Sequence, residues 1–234
     1  MEIPDYHKEQ VKNIQSSKKK WLRRSWISSA LKFSIPPILL GGYSRYESTW
    51  LEITNTVVRL PFLPRQKKIK ILHVSDLHLS RSTPIDFIEH AFSEGLKEKP
   101  HACMITGDFI TDRPDDKQLT ALTHCLTKVS KKVQTFASLG NHDGGSWSAS
   151  RNGFSSTEKI KVVLNAAKVR ILHNERASTY LNGLPVTVTG LGDMWNKECH
   201  PRKCMTKIQS KQGRRPHLNI LLSHNPDTKN LVNE

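Results

Sequence analysis

Four short segments of the sequence carry side chains that bind metal ions or transfer protons, and each follows an apolar run. The segments are Asp76-Leu77-His78, Gly107-Asp108, Gly140-Asn141-His142-Asp143 and Ser223-His224-Asn225-Pro226-Asp227. Carboxylate, imidazole and amide groups together form a mixed oxygen and nitrogen ligand set, which suits manganese, iron or zinc better than the all-oxygen cage of calcium. These residue types predict a transition-metal site if the fold brings the segments together.

Each segment has a simpler interpretation when it is taken alone. Asp76 and His78 are two positions apart and share one face of an extended strand, but such pairs are common by chance. Asp108 after Gly107 is typical of a turn or a helix N-cap, and His224 is typical of a loop histidine bonded to the backbone. The recurrence favours the metal site, because four strand-like runs each end in a group that can bind a metal.

The runs before these segments are predicted strands, and helical patterns lie between them. Strands are expected at Ile69–Val74, Ala102–Thr106, Val133–Leu139, Val169–Leu172, Ala177–Leu181, Pro185–Leu191 and Leu218–Ser223, and helices at Pro84–Leu96, Asp115–Lys131 and Ser156–Ala167. Strands that alternate with helices at this spacing are typical of an α/β layered sheet. Ligand sites of open α/β sheets lie beyond the carboxyl ends of the strands, so the metal-binding groups are expected to converge at one edge.

Composition and charge narrow the class of partner. The chain has 234 residues, of which 36% are hydrophobic and 24% charged, as in a globular domain with an appended segment. The formal net charge of +15 and the pI near 9.8 favour an anionic partner, which is a phosphorylated substrate, an anionic membrane face or nucleic acid. Nucleic acid is the least favoured, because the basic residues are spread out and form no groove interleaved with aromatic side chains.

Four segments are expected along the chain: a basic tail over 1–25, an apolar membrane-anchor or signal-like segment over 26–43, a linker or first strand over 44–67, and the α/β domain over 68–234. Basic residues followed by apolar ones are typical of a membrane anchor or an export signal. Lys32 and the pair Pro36-Pro37 weaken this segment as a span, since a span needs about 20 mostly apolar residues. The sequence predicts a membrane-associated location, and it leaves open an anchor, a cleaved signal or a plain N-terminal helix.

The combination of DLH, GD, GNHD and SHNPD resembles the motif set of the calcineurin-like metallophosphoesterases, in the order and spacing of that family. The resemblance runs from about Lys68 to the end of the chain. The segments YESTWLEI, GLGDMWNKEC and LLSHNPD resemble a branch of small bacterial phosphodiesterases that carry a basic and apolar N-terminal segment. Relatives of that branch include enzymes that cleave UDP-2,3-diacylglucosamine in lipid A synthesis.

The resemblance implies a metallophosphoesterase-type β-sandwich flanked by helices and a metal-dependent phosphodiesterase that hydrolyses phosphoester or pyrophosphate bonds. The implied substrate is a phosphorylated small molecule or lipid, and the oligomeric state is left open. The implied cofactors are two divalent metal ions, with manganese favoured over iron or zinc. A carboxylate can bridge such ions about 3.5–4 Å apart, and metal binding lowers the pKa of water towards neutrality.

The resemblance also implies a role for each residue of the motifs. Asp76 and His78 would hold one ion, Asp108 would bridge, and Asn141 and His224 would hold the second ion.

His142 and Asp143 are the catalytic residues that the resemblance implies. His142 would donate a proton to the leaving oxygen or bind a phosphate oxygen, and Asn141 would contact the substrate with it. Asp143 would orient His142, because a partner on one ring nitrogen fixes the tautomer of the other.

One feature departs from the family pattern. A G-H-x-H motif is expected shortly after SHNPD, and the sequence to Glu234 contains none. Each ion would then lack one histidine ligand, and the domain is expected to be C-terminally incomplete before its final strands. Three alternatives stay open at this point: a fragment of an active enzyme, a truncated and catalytically impaired remnant, and a phosphoesterase that acts on nucleic acid. The DNA sequence beyond codon 234 distinguishes the first two.

Overall fold

The computed structural model describes residues 47, 50–61, 63, 67–205 and 217–232 of the chain. The chain divides into two units, Met1–Glu52 and Ile53–Glu234, and the second unit contains every element named below. Residues 50–60 lie in no helix or strand. The predicted division at residues 25, 43 and 67 stays a prediction.

Four short apolar runs form a parallel sheet. Its strands are β1 (Ile71–Val74), β2 (Ala102–Thr106), β3 (Gln134–Ser138) and β4 (Arg170–Ile171), hydrogen-bonded in the order β1-β2-β3-β4. The ends of the central strands are aligned, since Val74 pairs with Ile105 and Thr106 pairs with Ser138. The loops after β1, β2 and β3 therefore leave the same edge of the sheet.

The crossovers between these strands carry the helices α1 (Ile85–Lys97), α2 (Asp116–Ser130), α3 (Ser146–Ala149) and α4 (Glu158–Ala166). Helix α2 begins with a capping box. The Asp115 carboxylate accepts a hydrogen bond from the Gln118 backbone amide, and the Gln118 side chain accepts one from the Asp115 backbone amide. The apolar faces of the helices pack on one face of the sheet, where the largest fully buried side chains include Phe92, Leu122, Leu126, Ile160 and Leu164.

The other face of the first sheet packs against a second sheet. Its strands β5 (Glu175–Leu181), β6 (Leu184–Gly190) and β7 (Leu218–Leu222) lie in that order, with β5 antiparallel and β7 parallel to β6. The shared core contains Ala102, Met104, Phe136, Leu172, Leu181, Val186, Val188 and Leu222. The expected α/β sandwich flanked by helices is therefore confirmed, with layers of helices, first sheet and second sheet. Two short helices, α5 (Pro201–Met205) and α6 (Thr228–Val232), complete the described elements.

The prediction of a membrane-associated location is corrected by the structure. Within residues 47, 50–61, 63, 67–205 and 217–232, no helix has the length and apolar character needed to cross a bilayer. The segment on which the prediction rested, residues 26–43, lies outside the described residues.

Candidate metal centre

The loops after β1 and β2 run side by side and place the first predicted ligands together. The Asp76 amide donates to the Gly107 carbonyl at 3.1 Å, and the His78 amide donates to the Asp108 carbonyl at 2.9 Å. These bonds continue the parallel pairing beyond the strands. Because β1 ends at Val74, Asp76 and His78 lie in a loop and not on the continuing strand that their spacing predicts.

Three predicted ligands have left-handed backbone conformations. The φ angles are 55° at Asp76, 46° at His78 and 54° at Asp108. Positive φ is uncommon for residues other than glycine, and it costs about 1–3 kcal/mol where the surrounding structure enforces it, often at functional sites. The paired loops therefore hold these three side chains in conformations that an isolated chain would avoid.

Asp108 lies at the centre of the site and is buried, with 3% of its surface exposed. Its Oδ1 atom accepts a hydrogen bond from the His142 amide at 2.9 Å. Its Oδ2 atom lies 3.3 Å from His224 Nε2 and 3.5 Å from His78 Nε2. One carboxylate oxygen thus faces histidines from two different segments of the chain.

Two sets of candidate ligand atoms share Asp108. The first set is His78, Asp108 and His142, the second is Asp76, Asp108 and His224, and within each set all atoms lie within 4.8 Å of one another. Ligand bonds of about 2.0–2.2 Å to nitrogen and oxygen put the ligands of one ion at such separations. The donor set therefore fits two divalent ions that share one carboxylate.

His224 reaches the site from the end of β7. Its Nδ1 atom lies 2.8 Å from the Thr106 carbonyl and its Nε2 atom lies 3.0 Å from Asn141 Oδ1. The carbonyl accepts a hydrogen bond from Nδ1–H, which leaves Nε2 directed at Asn141 and Asp108. The structure thus brings Asn141 and His224 together with Asp108, as the predicted second ligand set requires.

Thr111 orients the two other histidines. The His142 Nδ1 atom lies 2.5 Å from the Thr111 carbonyl, and the Thr111 hydroxyl lies 3.3 Å from His78 Nδ1. The rings of His78 and His142 meet edge to face with centroids 4.9 Å apart. Both histidines therefore use Nδ1 for Thr111 and direct Nε2 away from it, where it can face an ion or a substrate.

Asp143 has a different environment from the one that the resemblance implies. It is fully buried, and its carboxylate accepts hydrogen bonds from the amides of Asp108 at 2.9 Å, Phe109 at 2.7 Å and Gly140 at 2.8 Å. These hydrogen-bond partners of Asp143 are backbone groups, while the Thr111 carbonyl holds the His142 ring. Asp143 ties the loop after β2 to the loop after β3.

Two glycines allow these loops to touch. A Cβ atom on Gly140 would lie 2.3 Å from Asp108 Oδ1, and one on Gly107, whose φ is +84°, would lie 2.4 Å from the Gly140 amide nitrogen. Such distances exclude a side chain at either position unless the loops separate. Glycine at these two positions therefore serves the close approach of the two loops.

The charges of the site are strongly coupled. Burial lowers the pKa of His224, but the hydrogen bond and the charge of Asp108 outweigh it and raise that pKa to about 9. Burial opposes ionisation of Asp108, yet the hydrogen bonds from His224 and from the His142 amide leave its pKa below the ordinary value. Burial, followed by the charge of Asp108, raises the pKa of Asp143 to about 7. Without metal at neutral pH, His224 is thus a cation that faces an ionised Asp108.

Sequence reasoning missed several residues that support the site. Thr106 and Thr111 act mainly through backbone carbonyls, which every residue carries, so their side chains gave no signal. The Asn196 side chain accepts from the Trp147 amide at 3.0 Å and donates to the Asn141 carbonyl at 3.4 Å. The only signal for Asn196 was its position in the segment GLGDMWNKEC.

Comparison with known proteins gives a family and several relatives. Residues 69–232 match the family model described as calcineurin-like phosphoesterase. Phosphodiesterase YaeI of Escherichia coli strain K12 is 28% identical over 197 residues, which cover 82% of this chain and 66% of the relative.

Two further relatives are named UDP-2,3-diacylglucosamine pyrophosphatase LpxG. The Chlamydia trachomatis serovar D protein is 27% identical over 200 residues, which cover 68% of this chain and 58% of the relative. The Chlamydia muridarum protein is 27% identical over 234 residues, which cover 82% of this chain and 68% of the relative. The chain thus spans between 58% and 68% of the length of these three relatives.

Proposed function

The chain belongs to the calcineurin-like phosphoesterase family, and from this premise we propose that it hydrolyses phosphodiester or pyrophosphate bonds with two divalent metal ions. The observation that carries the proposal is the position of Asp108, whose Oδ2 atom faces His78 at 3.5 Å and His224 at 3.3 Å. A carboxylate oxygen between two histidine ligands supports a shared ligand of two ions.

In this proposal, Asp76 and His78 would hold one ion, since Asp76 Oδ1 lies 3.5 Å from His78 Nε2, and Asn141 and His224 would hold the other. Asp108 would contribute to both. Bound ions at such a centre polarise the phosphoryl group and lower the pKa of water towards neutrality. Mn²⁺ is the proposed metal because the ligands mix carboxylate, amide and imidazole groups, a set that iron and zinc also accept. The net charge of +15 supports an anionic substrate.

His142 is the proposed proton donor to the leaving oxygen. The Thr111 carbonyl accepts from Nδ1, so the protonated ring presents its other proton at Nε2. The His142 side chain is half-buried and its ring contacts Trp147, which in turn contacts the exposed Trp195. This position near the surface supports contact with substrate. Asp143 supports this residue indirectly, because it fixes the backbone of the two loops on which Asp108 and His142 lie.

The relatives support a phosphodiester or a pyrophosphate as the substrate. One relative is named a phosphodiesterase and two are named UDP-2,3-diacylglucosamine pyrophosphatases. UDP-2,3-diacylglucosamine is therefore the specific candidate within the broader class.

The test is hydrolysis by the purified chain after removal of bound metals with a chelator. Addition of Mn²⁺ is expected to restore cleavage of bis(p-nitrophenyl) phosphate, and of UDP-2,3-diacylglucosamine if the specific candidate is right. The His142→Ala variant is expected to keep its metal content and lose most of its activity. The exposed Asp112, four residues after Asp108, provides the control variant Asp112→Asn, which is expected to match the parent. Absence of hydrolysis of both substrates in the presence of Mn²⁺ would contradict the proposal.

A further inference from the structure

Two tryptophans lie beside the candidate catalytic histidine. The ring of Trp147 meets His142 edge to face with centroids 4.8 Å apart, and the Trp195 ring lies 5.4 Å from Trp147 at an interplanar angle of 34°. Trp195 is 50% exposed. Together with Arg151, these indoles line an open cavity of about 440 Å³. The exposed Trp195 ring, with Trp147 and Arg151 beside it, thus offers an aromatic surface to a molecule at the metal centre.

The tryptophans are held in place relative to the centre. Trp147 lies in α3 and Trp195 follows β6, and Asn196 connects these segments. Its side chain accepts from the Trp147 amide at 3.0 Å and donates to the Asn141 carbonyl at 3.4 Å, while its own amide donates to Asp193 Oδ2 at 2.6 Å. Asn196, the chain neighbour of Trp195, therefore joins both tryptophan segments to the loop that carries Asn141.

Gly145 shows how close this connection is. A Cβ atom at this position, where φ is +111°, would lie 2.4 Å from Asn196 Oδ1. The loop after β3 and the loop after β6 are therefore in direct contact between the metal ligands and the tryptophans. The aromatic surfaces are organised before any ligand binds, which reduces the entropic cost of binding.

The chemistry of the cavity selects a planar ligand. The Arg151 guanidinium lies 4.0 Å from the Trp147 ring centroid and adds positive charge at the rim. Exposed aromatic rings next to a basic side chain bind nucleobases by stacking on their π-faces. An acyl chain requires an enclosed apolar cavity that removes most of its surface from water, and three side chains around an open space do not form one.

We propose that Trp147, Trp195 and Arg151 form a stacking platform for the nucleobase of a nucleotide whose phosphate lies at the metal centre. This inference rests on the proposed function, because it assigns the group that extends from the phosphate. It makes nucleotides, as opposed to simple phosphodiesters, the substrate class of the site.

The test compares two ligands that differ only by the base. Calorimetric titration of the Mn²⁺-loaded chain with UMP and with ribose 5-phosphate gives the two dissociation constants. UMP is expected to bind about 5- to 100-fold more tightly, as one stacked base provides. Equal dissociation constants for the two ligands would overturn the platform.

Substitutions of the two tryptophans show whether their rings cause the preference for UMP. Trp195→Ala and Trp147→Ala are expected to reduce the preference for UMP over ribose 5-phosphate towards unity, whereas Trp195→Phe retains a ring and most of the preference. Tyr180, 70% exposed on β5, provides the control Tyr180→Ala, which is expected to keep the full preference. A full preference in both tryptophan-to-alanine variants contradicts the platform, and so does tighter binding of octyl phosphate than of UMP. Near-ultraviolet circular dichroism confirms that each variant is folded.

The two proposals fail separately. Mn²⁺-dependent hydrolysis of bis(p-nitrophenyl) phosphate with equal affinity for UMP and ribose 5-phosphate supports the metal centre and overturns the platform. A clear preference for UMP without hydrolysis of any phosphodiester supports the platform and overturns the proposed reaction.

Discussion

The first sheet supplies most of the candidate centre from adjacent loops, whereas the second sheet supplies one histidine from the end of β7. In the first sheet the loops after β1, β2 and β3 are joined by backbone hydrogen bonds and by the buried Asp143 carboxylate. In the second sheet His224 leaves β7 and contacts the first sheet through the Thr106 carbonyl and Asn141. The ligands on the first sheet are therefore positioned by neighbouring loops, whereas the position of His224 depends on packing between the two sheets.

This difference suggests that the two ion sites are separable. The loops of the first sheet hold Asp76, His78 and Asp108 without help from β7, so they are expected to bind one ion alone. The second ion requires His224, whose position depends on the core between Phe136 and the side chains of β6 and β7.

Asp108→Asn is expected to weaken binding of both metal ions. Asp108 belongs to both sets of ligand atoms, and an amide has one neutral oxygen in place of the two charged oxygens with which a carboxylate bridges two cations. Activity is expected to fall roughly 10³-fold or more, with less than one ion retained per chain by atomic absorption. The Asp112→Asn control is expected to keep both ions. Two ions bound to Asp108→Asn would contradict a shared ligand.

His224→Ala is expected to remove only the second ion. The chain would then bind one Mn²⁺ in place of two, and activity would fall roughly 10²-fold because the ions act together. The matched control is His217→Ala, just before the start of β7, where the ring contacts the Thr187 hydroxyl. Loss of both ions in His224→Ala would show that the first sheet does not form an independent site.

Gly140→Ala is expected to separate the loops of the first sheet. Its Cβ atom would lie 2.3 Å from Asp108 Oδ1, and overpacking of this kind costs about 1–3 kcal/mol. We expect this loss of unfolding free energy in urea titrations of the metal-free protein, together with weaker binding of both ions. Gly183→Ala is the control, since a Cβ there meets only Lys67 Nζ at 3.5 Å, and its φ of +72° costs about 1–2 kcal/mol. Unchanged metal affinity in Gly140→Ala argues against the importance of this contact.

The stability of the metal-free protein is expected to decrease in two pH ranges. The pKa of Asp143 is raised in the fold to about 7, so its favourable contribution, complete below about pH 4, is lost as the pH rises through 7. The pKa of His224 is raised to about 9, so its contribution is complete below about pH 6.5 and lost as the pH rises through 9.

Urea unfolding of the chelator-treated protein between pH 4 and pH 10 measures both ranges. The upper decrease is expected to be on the order of 3 kcal/mol. His224→Gln is expected to abolish the upper decrease and to keep the lower one, because only the imidazolium titrates in the upper range. A parent whose stability does not change between pH 7 and pH 10 is the contrary result.

The sequence predicted the strands of the first sheet well because each is a short apolar run that ends at a polar residue or glycine. The predicted Ala102–Thr106 is β2 as observed, and the predicted Val133–Leu139 contains β3. The recurrence of polar groups at strand ends also indicated that Asp108 and His224 would meet. The rule that parallel strands end at one edge accounts for Asp108 and Asn141, whereas His224 follows a strand of the second sheet, so its position also depends on how the two sheets pack.

The sequence did not predict the backbone conformations of the metal-binding loops, the shortest helices or the contacts of Asp143. The left-handed conformations of Asp76 and His78 result from hydrogen bonds to the neighbouring loop, which lies 30 residues away in the sequence. The sequence predicted neither α5 nor α6, because five residues are too few to show helical periodicity. The contacts of Asp143 depend on three backbone amides, so the partner implied for it, His142, differed from the hydrogen bonds in the structure.

Electron paramagnetic resonance of the chain loaded with two equivalents of Mn²⁺ shows whether Asp108 joins two ion sites. Ions that share a carboxylate lie about 3.5–4 Å apart, so the parent is predicted to give the spectrum of an exchange-coupled pair. His224→Ala is predicted to give the spectrum of an isolated ion. A spectrum of two isolated ions in the parent would contradict the account.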